Sequence, residues 1–321
     1  MRYKKFGNTG LELSELTLGT WAMSGDMGPV DENSAFGAID AMIDYGCNFI
    51  DTAPTYGRGA AEELLGKALK KNGKRNQITL LTKCGIRWPD GPKDFTKGSI
   101  RDSSYNALMK QIDQSLERLQ TDHIDIYLIH WPDVNTPIEE TLRALNEMKK
   151  AGKIKFTGVS NFEEPLLSKV YDAGMLDVIQ YEYNALNRTR EEMLKQYSDK
   201  GVATMGYGSL GGGILTGKIR EIPNFDNHDA RKGFYGRFYD EKVFPKVMKM
   251  LKTADQISVE RNVPVAQIFL NWALKHDFLH TSLTGVTSPA IAKENTEAMN
   301  WQLSDEEFER INNALEEMEN E

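Results

Sequence analysis

Short apolar runs alternate with longer amphipathic stretches along most of the chain, and this alternation restricts the possible folds more than any other feature. Short apolar runs suit strands buried on both faces, whereas the stretches between them place apolar residues at helical spacing. Eight strands are predicted: Leu16 to Gly19, Phe49 to Asp51, Thr79 to Lys83, Asp125 to His130, Phe156 to Val159, Val178 to Tyr181, Val202 to Met205 and Leu279 to Thr284. Six intervening helices are predicted: Ser34 to Tyr45, Ala61 to Lys70, Ser104 to Leu119, Ile138 to Lys150, Pro165 to Asp172 and Thr189 to Lys200.

Eight strand–helix units predict an α/β fold, a (β/α)8 TIM barrel. The chain has 321 residues, and no linker, further repeat or low-complexity segment divides it, so residues 1–321 are predicted to form one barrel domain. An N-terminal β-hairpin is predicted from Tyr3 to Leu13, around a Gly-Asn-Thr-Gly turn, and would cover one barrel end. Additional helices are predicted from Glu241 to His276 and from Ser304 to about Met318, the latter with an acidic first turn.

Composition excludes several classes of function. Lys and Arg total 39 against 47 Asp and Glu, a net charge of −8, and no basic block supplies the electrostatic attraction that nucleic-acid binding needs. No apolar window is long enough for a membrane span, and the N-terminus lacks the apolar core of a signal peptide. Cys47 and Cys84 lie far apart and indicate free thiols, hence a cytoplasmic protein. No metal is expected, because His276 and His280 lack a third ligand at a recognisable spacing. The oligomeric state stays open.

The long segment between the last two predicted strands contains two misleading motifs. Residues 206–211 match the G-x-G-x-x-G dinucleotide fingerprint, but the glycines and prolines that follow prevent the helix which that motif must open. Residues 212–218 match G-x-x-x-x-G-K, but Ile219 replaces the required Ser or Thr. The small residues before Lys218 still expose backbone N–H groups, and Lys218 itself adds one cation. This segment fits either a phosphate-binding loop or a flexible surface loop.

Polar residues end several of the predicted strands. In a parallel barrel the carboxyl ends of the strands carry the active site. These residues are Asp51, Lys83, His130, Ser160 with Asn161, and Gln180. Any one of them also suits a solvated loop, but four successive strands that end in Asp, Lys, His and Ser-Asn favour a shared site.

These residue types can protonate an oxygen on which negative charge develops. Tyr56, five residues after Asp51, is a candidate proton donor whose pKa we expect Lys83 to lower, with Asp51 holding the ammonium group. A neutral His130 would orient the substrate oxygen. An activated nucleophile, a metal cage and a close carboxylate pair are all absent from the pattern, which disfavours hydrolysis.

The sequence resembles the aldo-keto reductase family from the N-terminal hairpin to the C-terminal helix. The segments that carry this resemblance are Leu18-Gly19-Thr20-Trp21, Asp51 to Gly57, Leu80-Leu81-Thr82-Lys83, Ile129-His130-Trp131-Pro132, Gly158-Val159-Ser160-Asn161-Phe162, Gln180-Tyr181 and Gly211 to Lys218. The resemblance implies a barrel that binds an extended nicotinamide cofactor and reduces aldehydes or ketones reversibly by hydride transfer. It implies that Tyr56 is the general acid, assisted by Lys83, Asp51 and His130.

The resemblance also implies a cofactor site and a substrate site. Ser160, Asn161 and Gln180 would bind the carboxamide, Tyr207 would stack on the nicotinamide, and residues 209–218 would hold the pyrophosphate. The full implied cofactor set is Thr20, Trp21, Asp51, Ser160, Asn161, Gln180, Tyr207, Ser209, Leu210, Gly211, Gly213, Lys218, Gly285, Thr287, Ser288, Glu294 and Asn295. Trp21, Trp88 and Trp131 would form an apolar substrate rim, to which Arg87 and the loop Asp90 to Lys97 would add polar contacts.

Cofactor choice and substrate stay open at this stage. The cofactor is expected to be NADPH or NADH, because Ala290 and Ile291 stand where the resemblance often places an arginine for the 2′-phosphate. The substrate is expected to be a small carbonyl compound or a sugar. Two alternatives remain: an NAD-linked sugar or polyol dehydrogenase working oxidatively, and a non-catalytic cofactor-sensing subunit similar to ion-channel auxiliary subunits.

Overall fold

The computed structural model describes residues 1–89, 98–227 and 229–320. The strands in chain order are β1 (Tyr3–Lys5), β2 (Glu12–Ser14), β3 (Leu16–Gly19), β4 (Phe49–Asp51), β5 (Thr79–Cys84), β6 (Ile86–Arg87), β7 (Ile100–Arg101), β8 (Ile124–Ile129), β9 (Ile154–Ser160), β10 (Val178–Glu182), β11 (Ala203–Tyr207) and β12 (Thr281–Gly285). The α-helices in the described ranges are α1 (Glu32–Asp44), α2 (Ala60–Asn72), α3 (Tyr105–Leu119), α4 (Ile138–Lys150), α5 (Leu166–Asp172), α6 (Glu191–Asp199), α7 (Ala230–Phe234), α8 (Phe244–Arg261), α9 (Val265–Leu274), α10 (Pro289–Glu297) and α11 (Asp305–Asn320).

Eight parallel strands close into a barrel in the order β3-β4-β5-β8-β9-β10-β11-β12, and β12 pairs back with β3. The predicted (β/α)8 barrel is therefore confirmed, and the eight predicted strands correspond to these eight. Each strand is almost wholly buried, because its outer face packs against helices and its inner face against the other strands. All strand carboxyl ends consequently meet at one mouth of the barrel.

The N-terminal hairpin β1–β2 covers the opposite end, as expected. Phe6 and Leu13 are buried in one cluster with inward-facing barrel residues such as Phe49 and Met205. The Phe6 and Phe49 rings meet edge to face with their centroids 5.3 Å apart. This apolar closure leaves the carboxyl-end mouth as the open side of the barrel.

The structure contains one strand pair and two helices that were not predicted from the sequence. The short antiparallel pair β6–β7 was not predicted, because two-residue strands carry no periodic signal. The helices α7 and α10 form in segments for which no helix was predicted. The helical region from Glu241 to His276 divides into α8 and α9 at Asn262, whose φ of 55° ends α8 ahead of Pro264.

The C-terminal helix α11 begins with the predicted cap. The backbone N–H of Ser304 donates to Glu307, and the backbone N–H of Glu307 donates to the Ser304 hydroxyl at 3.2 Å. This reciprocal pair is a capping box. None of the helices in the described ranges combines the length and apolarity that crossing a bilayer requires.

Candidate active site

A cleft of roughly 600 Å³ opens over the carboxyl ends of the barrel strands. It runs from Tyr56 and His130 across the barrel mouth, past Gln180 and Tyr207, to the start of α10 at Ile291 and Glu294. The strand ends from both halves of the barrel thus contribute to one continuous groove, in keeping with the location of active sites in this architecture.

Lys83, Asp51 and Tyr56 form one hydrogen-bonded unit beneath this cleft. The Lys83 Nζ donates to both Asp51 carboxylate oxygens, at 2.7 and 2.9 Å, and to the Thr52 carbonyl at 3.1 Å. It also lies 3.1 Å from the Tyr56 hydroxyl. Lys83 is fully buried, so a charged ammonium group there depends on the Asp51 carboxylate. Asp51 and Lys83 therefore fix the position of the phenol.

Burial, assisted by the negative charges of Asp51 and Asp26, raises the pKa of Tyr56 well above its ordinary value. The expected net lowering of this pKa beside Lys83 is not found, because burial and the two carboxylates outweigh the effect of the ammonium group. Asp51 lies in direct contact with the ammonium group and offsets its field at the phenol, so desolvation dominates. Burial also lowers the pKa of Lys83, against the opposing effect of Asp51.

His130 faces the same part of the cleft and is held neutral. Burial, together with the Lys83 charge, lowers the pKa of His130 well below its ordinary value. Its Nδ1 lies 3.3 Å from the Thr55 hydroxyl, and its ring meets the Tyr56 ring edge to face at 5.9 Å. A neutral imidazole beside the phenol matches the expectation from the sequence.

Amide and hydroxyl groups line the middle of the cleft. Asn161, at a φ of 61° that Asn tolerates, donates to the His130 carbonyl at 3.1 Å and accepts from the Tyr207 hydroxyl at 2.8 Å. Gln180 donates to Asp51 at 2.8 Å. Ser160 lies behind this wall, with its buried hydroxyl donating to the Gln180 carbonyl at 2.9 Å. This region offers polar partners for an amide-bearing ligand.

Glycines form the wall on the side of β11. Gly212 and Gly213 adopt positive φ angles of 67° and 105° and expose backbone along the cleft. At its rim, the Lys218 Nζ contacts both carboxylate oxygens of Glu294, at 2.8 and 3.1 Å, and so bridges the groove to α10. Backbone N–H groups and one cation beside an open groove suit a phosphate-bearing ligand.

Most of the expected site residues line this cleft, and some do not. Those that line it are Trp21, Asp51, Tyr56, Trp88, His130, Trp131, Asn161, Gln180, Tyr207, Ser209, Leu210, Gly213, Lys218, Gly285, Glu294 and Asn295. Lys83, Thr20, Ser160 and Gly211 are buried behind the wall. Thr287 is exposed outside the cleft, and the Ser288 hydroxyl accepts from the Ile291 N–H as the N-cap of α10.

The expected substrate rim is aromatic. The guanidinium of Arg58 lies 4.1 Å from the Trp88 ring centroid, and that of Arg101 lies 5.2 Å from the Trp131 ring centroid. Arg87 forms a salt bridge with Asp102 at 2.6 Å. The expected polar loop from Asp90 to Lys97 lies outside the described residues.

Sequence reasoning missed several residues of the cleft. Asp26, Phe234 and Tyr235 line it, although none of them ends a barrel strand. Phe234 packs edge to face on Trp21 with centroids 5.4 Å apart, so α7 covers the cleft beside Tyr56. The adjacent aromatics at 234–235, within the Asn/Asp/Arg-rich part of the insertion, were the available signal, because clustered apolar side chains in a loop indicate a binding surface.

Known proteins resemble this chain in both sequence and fold. The model of the Aldo/keto reductase family matches residues 15–316. An aldo-keto reductase of Bacillus subtilis is 35% identical, covering 98% of this chain and 94% of its own length. An NADH-specific methylglyoxal reductase of Escherichia coli is 35% identical over 95% of both chains. The structure of a glycerol dehydrogenase from Gluconobacter oxydans aligns with a TM-score of 0.88 at 31% identity, covering 98% of this chain and 95% of that one.

Proposed function

Because the chain belongs to the aldo/keto reductase family and is an NAD(P)H-dependent oxidoreductase that reduces carbonyl groups, we propose that Tyr56 is its general acid. One observation carries this assignment: the Tyr56 hydroxyl lies 3.1 Å from a fully buried Lys83 whose charge Asp51 balances. Asp51, Lys83 and His130 complete the catalytic set.

The proton transfer follows from these contacts. The nicotinamide cofactor, when bound, supplies a hydride to the carbonyl carbon. As negative charge develops on the carbonyl oxygen, the Tyr56 hydroxyl donates its proton to that oxygen. Lys83, at hydrogen-bond distance, then stabilises the phenolate, and Asp51 keeps the ammonium group in place.

His130 orients the carbonyl in this proposal. When the Thr55 hydroxyl donates to Nδ1, the ring proton resides on Nε2 and can be donated to a substrate oxygen. The lowered pKa of His130 favours a neutral donor that does not compete with Tyr56 as an acid. Trp21, Trp88 and Trp131 would contact the apolar part of the substrate.

The cleft fits an extended dinucleotide. Asn161 and Gln180 would bind the carboxamide of the nicotinamide, and Tyr207 would stack on the nicotinamide ring. The exposed backbone near Gly213, together with Lys218, would hold the phosphates. Gly285, Glu294 and Asn295 would contact the far end. Three further residues of the proposed cofactor site, Ser160, Thr20 and Gly211, would support it from behind the cleft wall. Thr287 and Ser288 would contact the cofactor from outside the cleft.

We propose that NADH binds at least as tightly as NADPH. The only basic residue in segment 284–295 is Lys293, whose Nζ lies 3.8 Å from Glu297, whereas the Glu294 carboxylate lines the cleft. A carboxylate at this end favours a ribose hydroxyl over a 2′-phosphate. Separate titrations with NADH and NADPH, followed by quenching of tryptophan fluorescence, test this. Binding of NADPH alone would refute it.

We propose a small aldehyde or ketone as the substrate and a cytoplasmic location, in which the buried free thiols of Cys47 and Cys84 stay reduced. The alternative function, an NAD-linked sugar or polyol dehydrogenase, would use the same residues with the proton moving in the opposite direction. Comparing the rates of oxidation and reduction distinguishes this alternative from a reductase. The complete proton-donor set disfavours a purely cofactor-sensing subunit.

Replacement of Tyr56 by Phe tests the proposed role directly. Removing only the hydroxyl should abolish carbonyl reduction, because the proposed proton donor beside Lys83 is then missing. Cofactor affinity should stay close to wild type, since the ring and the cleft persist. The measurement pairs steady-state reduction of a carbonyl panel with a cofactor titration of both proteins. Equal turnover in Tyr56→Phe would refute the role of Tyr56, and cofactor binding without any turnover by the wild type would revive the sensing subunit.

A further inference from the structure

Asp26 is a junction between three segments around the cleft. Its Oδ2 accepts from the Trp21 indole N–H and from the Gly57 backbone N–H, each at 3.0 Å. Its backbone carbonyl accepts from the Ala230 N–H at 2.8 Å, where α7 begins. Its own N–H donates to the Ser24 hydroxyl at 3.1 Å. Asp26 thereby joins the loop after β3, the loop after β4 and helix α7.

Two of these bonds act on the immediate surroundings of Tyr56. The Trp21 ring stacks on the Tyr56 ring at a centroid distance of 6.0 Å and an angle of 24°. Gly57 and Arg58 both adopt left-handed conformations, and for Arg58, which has a Cβ, that conformation is unfavourable without support. A Cβ on Gly57 would lie 2.2 Å from the Ser24 carbonyl oxygen, so the two loops touch through their backbones. The Asp26 carboxylate therefore restrains the Tyr56 ring on one side and its following peptide on the other.

We propose that Asp26 is a positioning residue for the reduction, one that holds the Tyr56 hydroxyl in register with Lys83 and His130 by anchoring Trp21 and Gly57 to a single carboxylate oxygen. This inference rests on the proposed role of Tyr56 as general acid. It assigns Asp26 no contact with the reacting atoms.

The charge of Asp26 adds a second effect. The ionisable groups around the phenol are Lys83 and Asp51 beneath it, His130 beside it, Asp26 on the neighbouring loop, and the phenols of Tyr207 and Tyr235 from β11 and from the end of α7. The negative charge of Asp26 contributes to raising the pKa of Tyr56. Removing that charge should lower this pKa. In the oxidative direction Tyr56 must be deprotonated, so the alkaline rise of the oxidation rate should move to lower pH.

Two substitutions separate position from charge. In Asp26→Asn the amide oxygen can still accept both hydrogen bonds, so only the charge is lost. In Asp26→Ala both bonds are lost as well. Asp31→Asn is the matched control: it removes one charge from the same loop, at an N-cap that Asn satisfies equally well.

We expect Asp26→Ala to lower kcat for reduction roughly tenfold while the dissociation constant of NADH changes less than about twofold. Asp26→Asn should keep kcat near neutral pH and shift the oxidation profile to lower pH by roughly half a unit, whereas Asp31→Asn should match wild type in both assays. Wild-type kcat in Asp26→Ala, or a joint loss of NADH binding and turnover, would overturn the positioning role. An unmoved Asp26→Asn profile would overturn the charge effect. Wild-type protein and Tyr56→Phe are assayed first, so a failure of the proposed function is seen separately.

Discussion

At Tyr56 the burial that makes the phenolate costly also keeps the proton available for donation. The pKa of Tyr56 is raised well above its ordinary value, so the hydroxyl stays protonated throughout the neutral range. A proton donor with a high pKa suits reduction when a neighbouring cation stabilises the product phenolate, and Lys83 lies at that distance. The environment of this one side chain therefore favours reduction over oxidation near neutrality.

The pH dependence should differ between the two directions. Because the raised pKa keeps Tyr56 protonated, kcat for reduction should stay flat from about pH 6 to 9. Oxidation requires the phenolate and should rise by about tenfold per pH unit over the same range. His130 should add no inflection, since burial and Lys83 hold its pKa well below its ordinary value. Initial rates of reduction and of oxidation, measured across this pH range, test the prediction. A bell-shaped reduction profile centred near neutrality would contradict the assignment.

The residues that end barrel strands were predictable from the sequence, and those that fold back from loops were not. Asp51, Lys83 and His130 follow apolar runs whose carboxyl ends must meet at the barrel mouth. Asp26 lies seven residues beyond the end of β3, and its importance depends on bonds to Trp21 and Gly57 that no spacing rule gives. The direction of the Tyr56 pKa shift depends on burial, which is a property of the packed structure.

Among the elements, the barrel strands and most helices agree with the sequence pattern within a few residues. Their apolar periodicity reflects burial on one face or both, as the fully buried strand β8 shows. α7 has no buried residue of its own, and its position depends on contacts with the distant Trp21, so periodicity gave no sign of it. α10 was missed despite an N-cap signal, Ser288 followed by Pro289, in a segment considered only as a nucleotide-binding loop.

The C-terminal helix α11 is held against α8 by a bidentate ion pair. Both carboxylate oxygens of Glu307 accept from the Arg261 guanidinium, at 2.5 and 2.6 Å. Hydrogen bonds from Arg261, with those from Ser304, lower the pKa of Glu307 to about 2. Because the folded state lowers this pKa, the carboxylate stabilises the fold above its unfolded pKa and loses that effect as pH falls toward 2.

Replacing Glu307 by Gln should lower the free energy of unfolding at pH 7 by about 1–2 kcal/mol, less than the full pKa shift implies because Arg261 is partly exposed to solvent. The difference from wild type should shrink as pH falls from about 4.5 toward 2. Urea unfolding at a series of pH values measures it. Glu306→Gln removes the same charge from the exposed neighbouring position and should change stability little. A pH-independent difference would show that the ion pair is not its source.

At the scale of the whole molecule, the cleft joins both halves of the barrel. Asp51 and Lys83 come from β4 and β5, Gln180 from β10, and Gly285 from β12, which closes the sheet against β3. Every barrel strand has two bonded neighbours, and the hairpin residue Phe6 packs into the shared interior. A ligand in this cleft therefore binds to a surface that exists only when the entire barrel is closed.

We propose that residues 1–321 unfold as one unit, and that a bound nicotinamide cofactor stabilises all of it. NADH at a hundred times its dissociation constant should add about 2.7 kcal/mol to the free energy of unfolding. That increment corresponds to a rise in Tm of about 4 °C for a chain of this length. Scanning calorimetry should show a single transition that moves as a whole with NADH. Tyr56→Phe should show the same shift, because its hydroxyl serves proton transfer and not cofactor binding. Two transitions, only one of which responds to NADH, would mean that part of the chain folds independently of the cleft.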